Sequence, residues 1–157
     1  MRRYLIFIIV PFVFFLDRWT KMIIFERIPY LEGIKVTSFF SVVHVRNYGG
    51  AFSFLSEHHL AKYVFTLFPL TISLILAYIL IRYRLNFFKT TSLLLILSGA
   101  MGNLYDRFSY GYVVDFLDFY YKNHHWPAFN VADISISVGV GLWLFGELKE
   151  QLTKKEK

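Results

Sequence analysis

From Tyr63 to Ile81 the chain carries no charged residue. A bilayer core about 30 Å thick is crossed by about 20 apolar helical residues, because a helix satisfies every backbone polar group internally. This segment therefore predicts a transmembrane helix, with Pro69 as a tolerated irregularity. Thr90 to Tyr105 is a second uncharged run. Ile134 to Gly146 is a third, and it reaches spanning length only by including Asp133 and part of Asn130-Val131-Ala132. Tyr4 to Phe25 spans only if Asp17 and Lys21 are taken inside. We expect an all-α integral membrane protein with four spans, at 4–25, 62–82, 89–107 and 131–149, forming one domain over 1–157.

Composition agrees: 56% of the 157 residues are hydrophobic and 18% are charged, too apolar for an ordinary soluble domain. The absence of cysteine excludes disulfides, thiolate metal sites and a cysteine nucleophile. A net charge of +6 fits basic membrane-flanking loops. No basic stripe interleaved with stacking aromatics suggests nucleic acid. The start, Met1-Arg2-Arg3 followed by an apolar run, imitates a signal peptide. No small-x-small cleavage pattern follows, so we read it as an uncleaved first span.

Lysine and arginine in short loops set orientation. Arg2 and Arg3 precede the first span, Arg82, Arg84 and Lys89 link the second to the third, and Lys149, Lys154, Lys155 and Lys157 follow the fourth. Both termini are expected in the cytoplasm, with the long loops outside. In the first of these, Ile34 to Thr37 and Phe39 to Val45 are rich in β-branched and aromatic residues, predicting a small sheet on the outer surface. The second carries Tyr120, Tyr121 and Trp126, an interfacial aromatic belt.

The polar residues gather toward that outer side. Asp17 and Lys21 are four apart, on one helix face and about 6 Å apart along its axis. They are either a structural ion pair or a support for the outer loop or substrate. Asn47-Tyr48-Gly49-Gly50-Ala51-Phe52 combines an amide suited to a peptide bond with glycines that allow close backbone approach. Gly99, Ala100 and Gly102 permit tight helix contact near Asn103, Asp106 and Arg107. Asp106 and Arg107 can form a local ion pair, or the guanidinium can hold a lipid phosphate or neighbouring carbonyls.

The sharpest signal is a pair of aspartates set among apolar residues. Asp115 lies in Val113-Val114-Asp115-Phe116, and Asp133 lies in Asn130-Val131-Ala132-Asp133-Ile134. A carboxylate at a bilayer lip is costly unless paired or functional. Asp133 alone could be a helix cap, which would leave Asp115 unexplained. Brought together, the two would share one proton near neutrality. The ionised member then activates water while the protonated one donates to the scissile carbonyl, as in an aspartic protease. His58-His59 and His124-His125 lack the His-Glu-x-x-His pattern of a metalloprotease, and nothing in the spacing of Ser53 and Lys62 recommends a serine–lysine dyad. The alternative from another class is a non-enzymatic membrane subunit whose carboxylates bind an ion or partner.

Five blocks in order resemble the bacterial lipoprotein signal peptidases (signal peptidase II). They are Asp17-Arg18-Trp19-Thr20-Lys21, Asn47 to Phe52, Gly99 to Arg107, Val114-Asp115-Phe116 and Phe129 to Asp133. One departure is Ser98-Gly99, where the family often has two glycines. The resemblance implies four membrane helices with an extracytoplasmic β-cradle and a short helical outer loop. It implies an aspartic endopeptidase of the bacterial inner membrane that cuts diacylglyceryl-modified prolipoproteins before the lipidated cysteine and is inhibited by globomycin. Asp115 and Asp133 match its catalytic pair. Asn47, Asn103, Arg107 and Asn130 match residues lining or supporting the site, Gly49 and Ala132 fall in its motifs, and Asp17 and Lys21 match its structural or substrate-positioning pair. We expect no cofactor or metal, lipids and the lipidated precursor as partners, and a monomer.

Overall fold

The computed structural model describes residues 2–49 and 59–155. Four long helices are joined by a small sheet: α1 (Arg2–Arg27), β1 (Gly33–Lys35), β2 (Phe40–Asn47), α2 (His59–Arg82), α3 (Phe87–Tyr110), β3 (Val113–Tyr121), β4 (His124–His125) and α4 (Val131–Lys155). Among the described residues, three helices are long and apolar enough to cross a membrane: Tyr63–Arg82, Phe87–Tyr110 and Val131–Lys154. The apolar run of α1 is interrupted by Asp17, Arg18 and Lys21, and α1 is not among them. The helix continues unbroken through Pro69, and Ser73 Oγ donates back to the Pro69 carbonyl at 2.8 Å.

Local chemistry sets the ends of α3. Asn86 accepts the Lys89 N–H as N-cap, and Gly111 at φ 79° closes the other end with its N–H on the Arg107 carbonyl. At the capped start, Asn86 and Lys89 also reach Glu150 of α4, which ties the two helices at that end. Along their length they pack closely because glycines leave room. A Cβ on Gly99 would run into the Ala132 carbonyl of α4, and one on Gly139 would lie 2.8 Å from the Ser92 carbonyl. Ser98 is fully buried beside Gly99, and its hydroxyl is satisfied by the Leu94 carbonyl. The larger residue at that position is therefore accommodated without an unpaired polar group.

The strands run in the order β1-β2-β3-β4, all antiparallel. β1 and β2 fall close to the stretches whose residues predict them. The second outer loop is the strand β3 and the hairpin to β4. Its Val-Val-x-Phe-Leu run packs well on a half-buried sheet. Gly50 to His58 lie outside the described residues, including Ala51, Phe52 and Ser53. On β3, Val114 and Phe116 face Ile24 and Ile28 at the end of α1. Side chains alternate along a strand, so Asp115 points to the opposite side. A bulge in β2 between Val42 and Val45 turns His44 into the interior, where its Nδ1 lies 2.8 Å from the Ile28 carbonyl.

Gly99→Ala is expected to force α3 off α4 and to cost about 1–3 kcal/mol, measured by thermal unfolding in detergent. Gly141, where an added Cβ would meet nothing within 4 Å, serves as control: Gly141→Ala should be neutral or stabilising.

Candidate active site

Asp115 and Asp133 are brought to one end of the bundle by two chain reversals. β3 carries Asp115 away from the end of α3. The β3–β4 hairpin then returns the chain so that Phe129 pairs with Leu117, its N–H donating at 3.1 Å and its carbonyl accepting at 2.8 Å. That bridge sets Asn130 beside Asp115, with its Nδ2 donating to Asp115 Oδ1 at 2.6 Å.

Asn130 also starts α4. Its Oδ1 accepts the Asp133 N–H at 3.0 Å, and its own N–H donates to Asp133 Oδ2 at 3.1 Å. This is a reciprocal capping box with aspartate at the third helical position. The cap expected at Asp133 thus belongs to Asn130, and Asp133 completes it. One asparagine side chain touches the Asp115 carboxylate and fixes the backbone of Asp133.

Two further amides hold the carboxylates. Asn103 of α3 donates from Nδ2 to Asp133 Oδ1 at 2.8 Å, while its Oδ1 accepts from Lys21 Nζ at 3.0 Å. Asn47 of β2 donates from Nδ2 to Asp115 Oδ2 at 2.9 Å. Its orientation is set by Gly49, whose N–H donates to Asn47 Oδ1 at 3.0 Å. Gly49 sits at φ 128°, and a Cβ there would fall on the Phe65 ring, so this position calls for glycine.

Beneath the pair lies a closed ionic cluster. Lys21, with 1% of its surface exposed, reaches Asp17 Oδ2 at 2.8 Å and Asp106 Oδ2 at 2.9 Å. Asp17 Oδ1 accepts the Ala132 N–H at 2.9 Å, so it occupies the positive end of the α4 dipole. Asp106 accepts the Val114 N–H at 3.3 Å and is bridged by Arg18. The local pair expected between Asp106 and Arg107 does not form, because successive residues on a helix point to different sides. Asp106 turns inward to Lys21 and Arg18 instead. Asp17 and Lys21 lie outside the lining of the groove at the aspartates. Arg107 lies near enough to Asp106, Asp115 and Asp133 for its charge to act on them. No hydrogen bond joins it to them among the described residues, and its Nε is buried without a partner.

The partners of Arg18 and Asp106 are what a reading of the sequence passes over. The signal for Asp106 was its place in an apolar helix end. Arg18 had none, because its partner lies 88 positions away.

The two carboxyls differ in environment. Asp115 is 3% exposed, whereas Asp133 is half-buried and opens on the groove. Burial, reinforced by the Asp133 charge, pushes the Asp115 carboxyl up to about 7, against the opposing pull of Asn47, Asn130 and Lys21. One proton can therefore reside on the pair at neutral pH.

The groove has a volume of about 690 Å³. Asn47 and Asp115 form one side, Trp126 to Phe129 another, and Asp133, Ile134, Ser137 and Val138 of α4 the third. The spacing of these last positions makes one helix face. Ile134 and Val138 are exposed along it, so the groove runs from the carboxylates onto an apolar wall. Away from it, His125 Nδ1 lies 2.9 Å from Asp118 Oδ1 and holds the β3–β4 hairpin.

The sequence pattern of the signal peptidase (SPase) II family matches residues 9–149. The lipoprotein signal peptidase of Pasteurella multocida is 41% identical over 140 residues, covering 88% of this chain and 85% of its own. That of Haemophilus ducreyi is 42% identical, covering 90% and 88%. A bacterial membrane enzyme solved by the in meso method at 2.3 Å resolution superposes with a TM-score of 0.84 at 33% identity, covering 97% of this chain and 92% of its own. A second, at 1.9 Å resolution, gives a TM-score of 0.80 at 32% identity, covering 92% of each. The chain belongs to the signal peptidase II family and is a membrane-embedded peptidase.

Lys21→Met would leave two buried carboxylates facing each other, with Asp106 keeping only Arg18. It is expected to cost about 3–5 kcal/mol in thermal unfolding. Lys21→Met combined with Asp17→Asn should recover part of that loss, since the partners couple directly.

Proposed function

Taking membership of the signal peptidase II family as the premise, we propose that this chain removes signal peptides from diacylglyceryl-modified prolipoproteins, cutting before the lipidated cysteine, with Asp115 and Asp133 as its catalytic dyad. The observation that carries this reading is the shared amide network: Asn130 contacts both aspartates, Asn47 holds one and Asn103 the other. Two carboxyls held by different strands and helices at the head of an apolar groove suit water-dependent peptide hydrolysis at a lipid boundary.

In this mechanism Asp133, the member open to the groove, is ionised and takes a proton from water as the oxygen attacks the scissile carbonyl. Asp115 gives its proton to the carbonyl oxygen. Collapse of the tetrahedral intermediate breaks the C–N bond. The proton on Asp133 goes to the leaving amine of the lipidated cysteine, and the proton on the carbonyl oxygen returns to Asp115. The positive charge of Arg107 lies close to both carboxylates and steadies the negative charge as it passes from Asp133 to Asp115. The acyl chains of the substrate lie along Ile134 and Val138, and Trp126 to Phe129 form the wall opposite.

The same reading makes α1 a fourth span whose charges are neutralised inside the bundle. It puts both termini in the cytoplasm of a bacterial inner-membrane protein and makes the sheet an extracytoplasmic cradle over the groove. The chain acts as a single monomeric domain, and globomycin-type peptides compete for the groove.

Asp115→Asn and Asp133→Asn should each lower cleavage of a lipidated precursor by roughly 10²-fold or more while the protein remains folded in the membrane. Near-normal cleavage by either variant overturns the dyad. The wild-type profile of kcat/KM against pH should be bell-shaped. The acid side falls as the ionised member is protonated. The alkaline side falls as the pair loses its shared proton, near the value of about 7 for Asp115. A profile that keeps rising through the alkaline range contradicts a shared proton.

A further inference from the structure

Arg18 stands outside every residue assigned to the site, yet its contacts lead to Asp115. Its Nη1 bridges to Asp106 Oδ1 and its Nη2 donates to Tyr110 Oη at 3.3 Å. The guanidinium lies 4.3 Å from the Tyr105 ring centroid and 5.7 Å from that of Tyr110. A planar cation stacked on one ring and bonded at two corners has one orientation. Asp106 is 0% exposed, and its second oxygen is shared between Lys21 and the Val114 N–H. Val114 is the residue before Asp115.

Charge explains why a second cation is needed. Lys21 alone faces Asp17 and Asp106, which leaves one uncompensated negative charge in a closed interior. Arg18 removes it. Without Arg18, Lys21 would be drawn toward Asp106, away from Asp17 and the Asn103 oxygen it also holds. Asp17 positions the Ala132 N–H and Asn103 positions Asp133. We propose that Arg18 is a positioning residue for the Asp115–Asp133 pair, acting through Asp106 on the strand that carries Asp115 and through Lys21 on the contacts that hold Asp133. This rests on the dyad reading given above.

The charged groups around Asp115 are Asp17, Arg18 and Lys21 from α1, Asp106 and Arg107 from α3, Asp133 from α4, and Arg46 of β2, paired in register with Val114. Removing one positive charge from this set makes the field at the dyad more negative. The pair then holds its shared proton to higher pH, so the bell moves alkaline.

The test is precursor cleavage by purified full-length enzyme in phospholipid nanodiscs, with Arg18→Gln, Arg18→Lys and Tyr105→Leu. Arg18→Gln should lower kcat about 10-fold with KM little changed and move the bell alkaline by about half a unit to one unit. Arg18→Lys, which keeps the charge, should restore the position of the bell and much of kcat. Tyr105→Leu removes the stacking ring without touching a charge, and should lower kcat several-fold with the bell in place. It keeps the question answerable if Arg18→Gln does not fold. Wild-type kcat with an unmoved bell in Arg18→Gln, or wild-type kcat in Tyr105→Leu, overturns the proposal. So does an Arg18→Lys enzyme as slow as Arg18→Gln with neither bell displaced, which marks a purely structural role. Full activity in Asp115→Asn and Asp133→Asn would instead remove the dyad itself, so the two failures are separable.

Discussion

A single ammonium group organises the end of this molecule that carries Asp115 and Asp133. Lys21 Nζ is sealed between Asp17, Asp106 and the Asn103 side chain, at 2.8, 2.9 and 3.0 Å. An isolated charge in such a place would cost several kcal/mol, and its partners share that cost only while all stay in place. Each of them has a second duty. Asp17 caps the start of α4, Asp106 receives the N–H beside Asp115, and Asn103 bonds Asp133. Breaking the cluster at any point therefore displaces a carboxylate of the site. This is how polar residues that never meet the groove govern what lies in it.

The helix start and the cluster reinforce each other. The first turn of α4 presents backbone N–H groups that need acceptors, and Asp17 and the Asn130 side chain supply them. Asp133 is held at a fixed depth as a result. Asp115 arrives from another direction, on a strand pinned to Asn47, Asn130 and the end of α1. Two carboxyls on independently anchored elements can stay close despite their mutual repulsion. That repulsion and the burial of Asp115 then act together to keep a proton on the pair.

Much of this was legible in the residues. Uncharged runs marked α2, α3 and α4, since few other structures tolerate them. The β-branched stretches of the first outer loop marked β1 and β2. Asp115 and Asp133 stood out because each interrupts an apolar segment. What the sequence hid was partnership across the chain. Asp106 beside Arg107 invites a local pair, but helix geometry sends it to Lys21 and Arg18. Asp133 at a helix mouth reads as a cap, while Asn130, three residues earlier, holds the cap position itself and Asp133 bonds back to it. The second outer loop read as an aromatic belt because Tyr120, Tyr121 and Trp126 dominate it. Its Val113 to Leu117 segment becomes a strand by pairing with β2, a long-range event that local propensity does not specify.

The central claim is that one proton is shared by Asp115 and Asp133 near neutral pH. Infrared titration of the carboxyl band in the folded, membrane-reconstituted protein reads that proton directly. The account predicts one protonated carboxyl that titrates close to 7 and whose band is lost in Asp115→Asn. A protein with no carboxyl titrating near neutrality, or one whose band persists unchanged in both Asp115→Asn and Asp133→Asn, would contradict it.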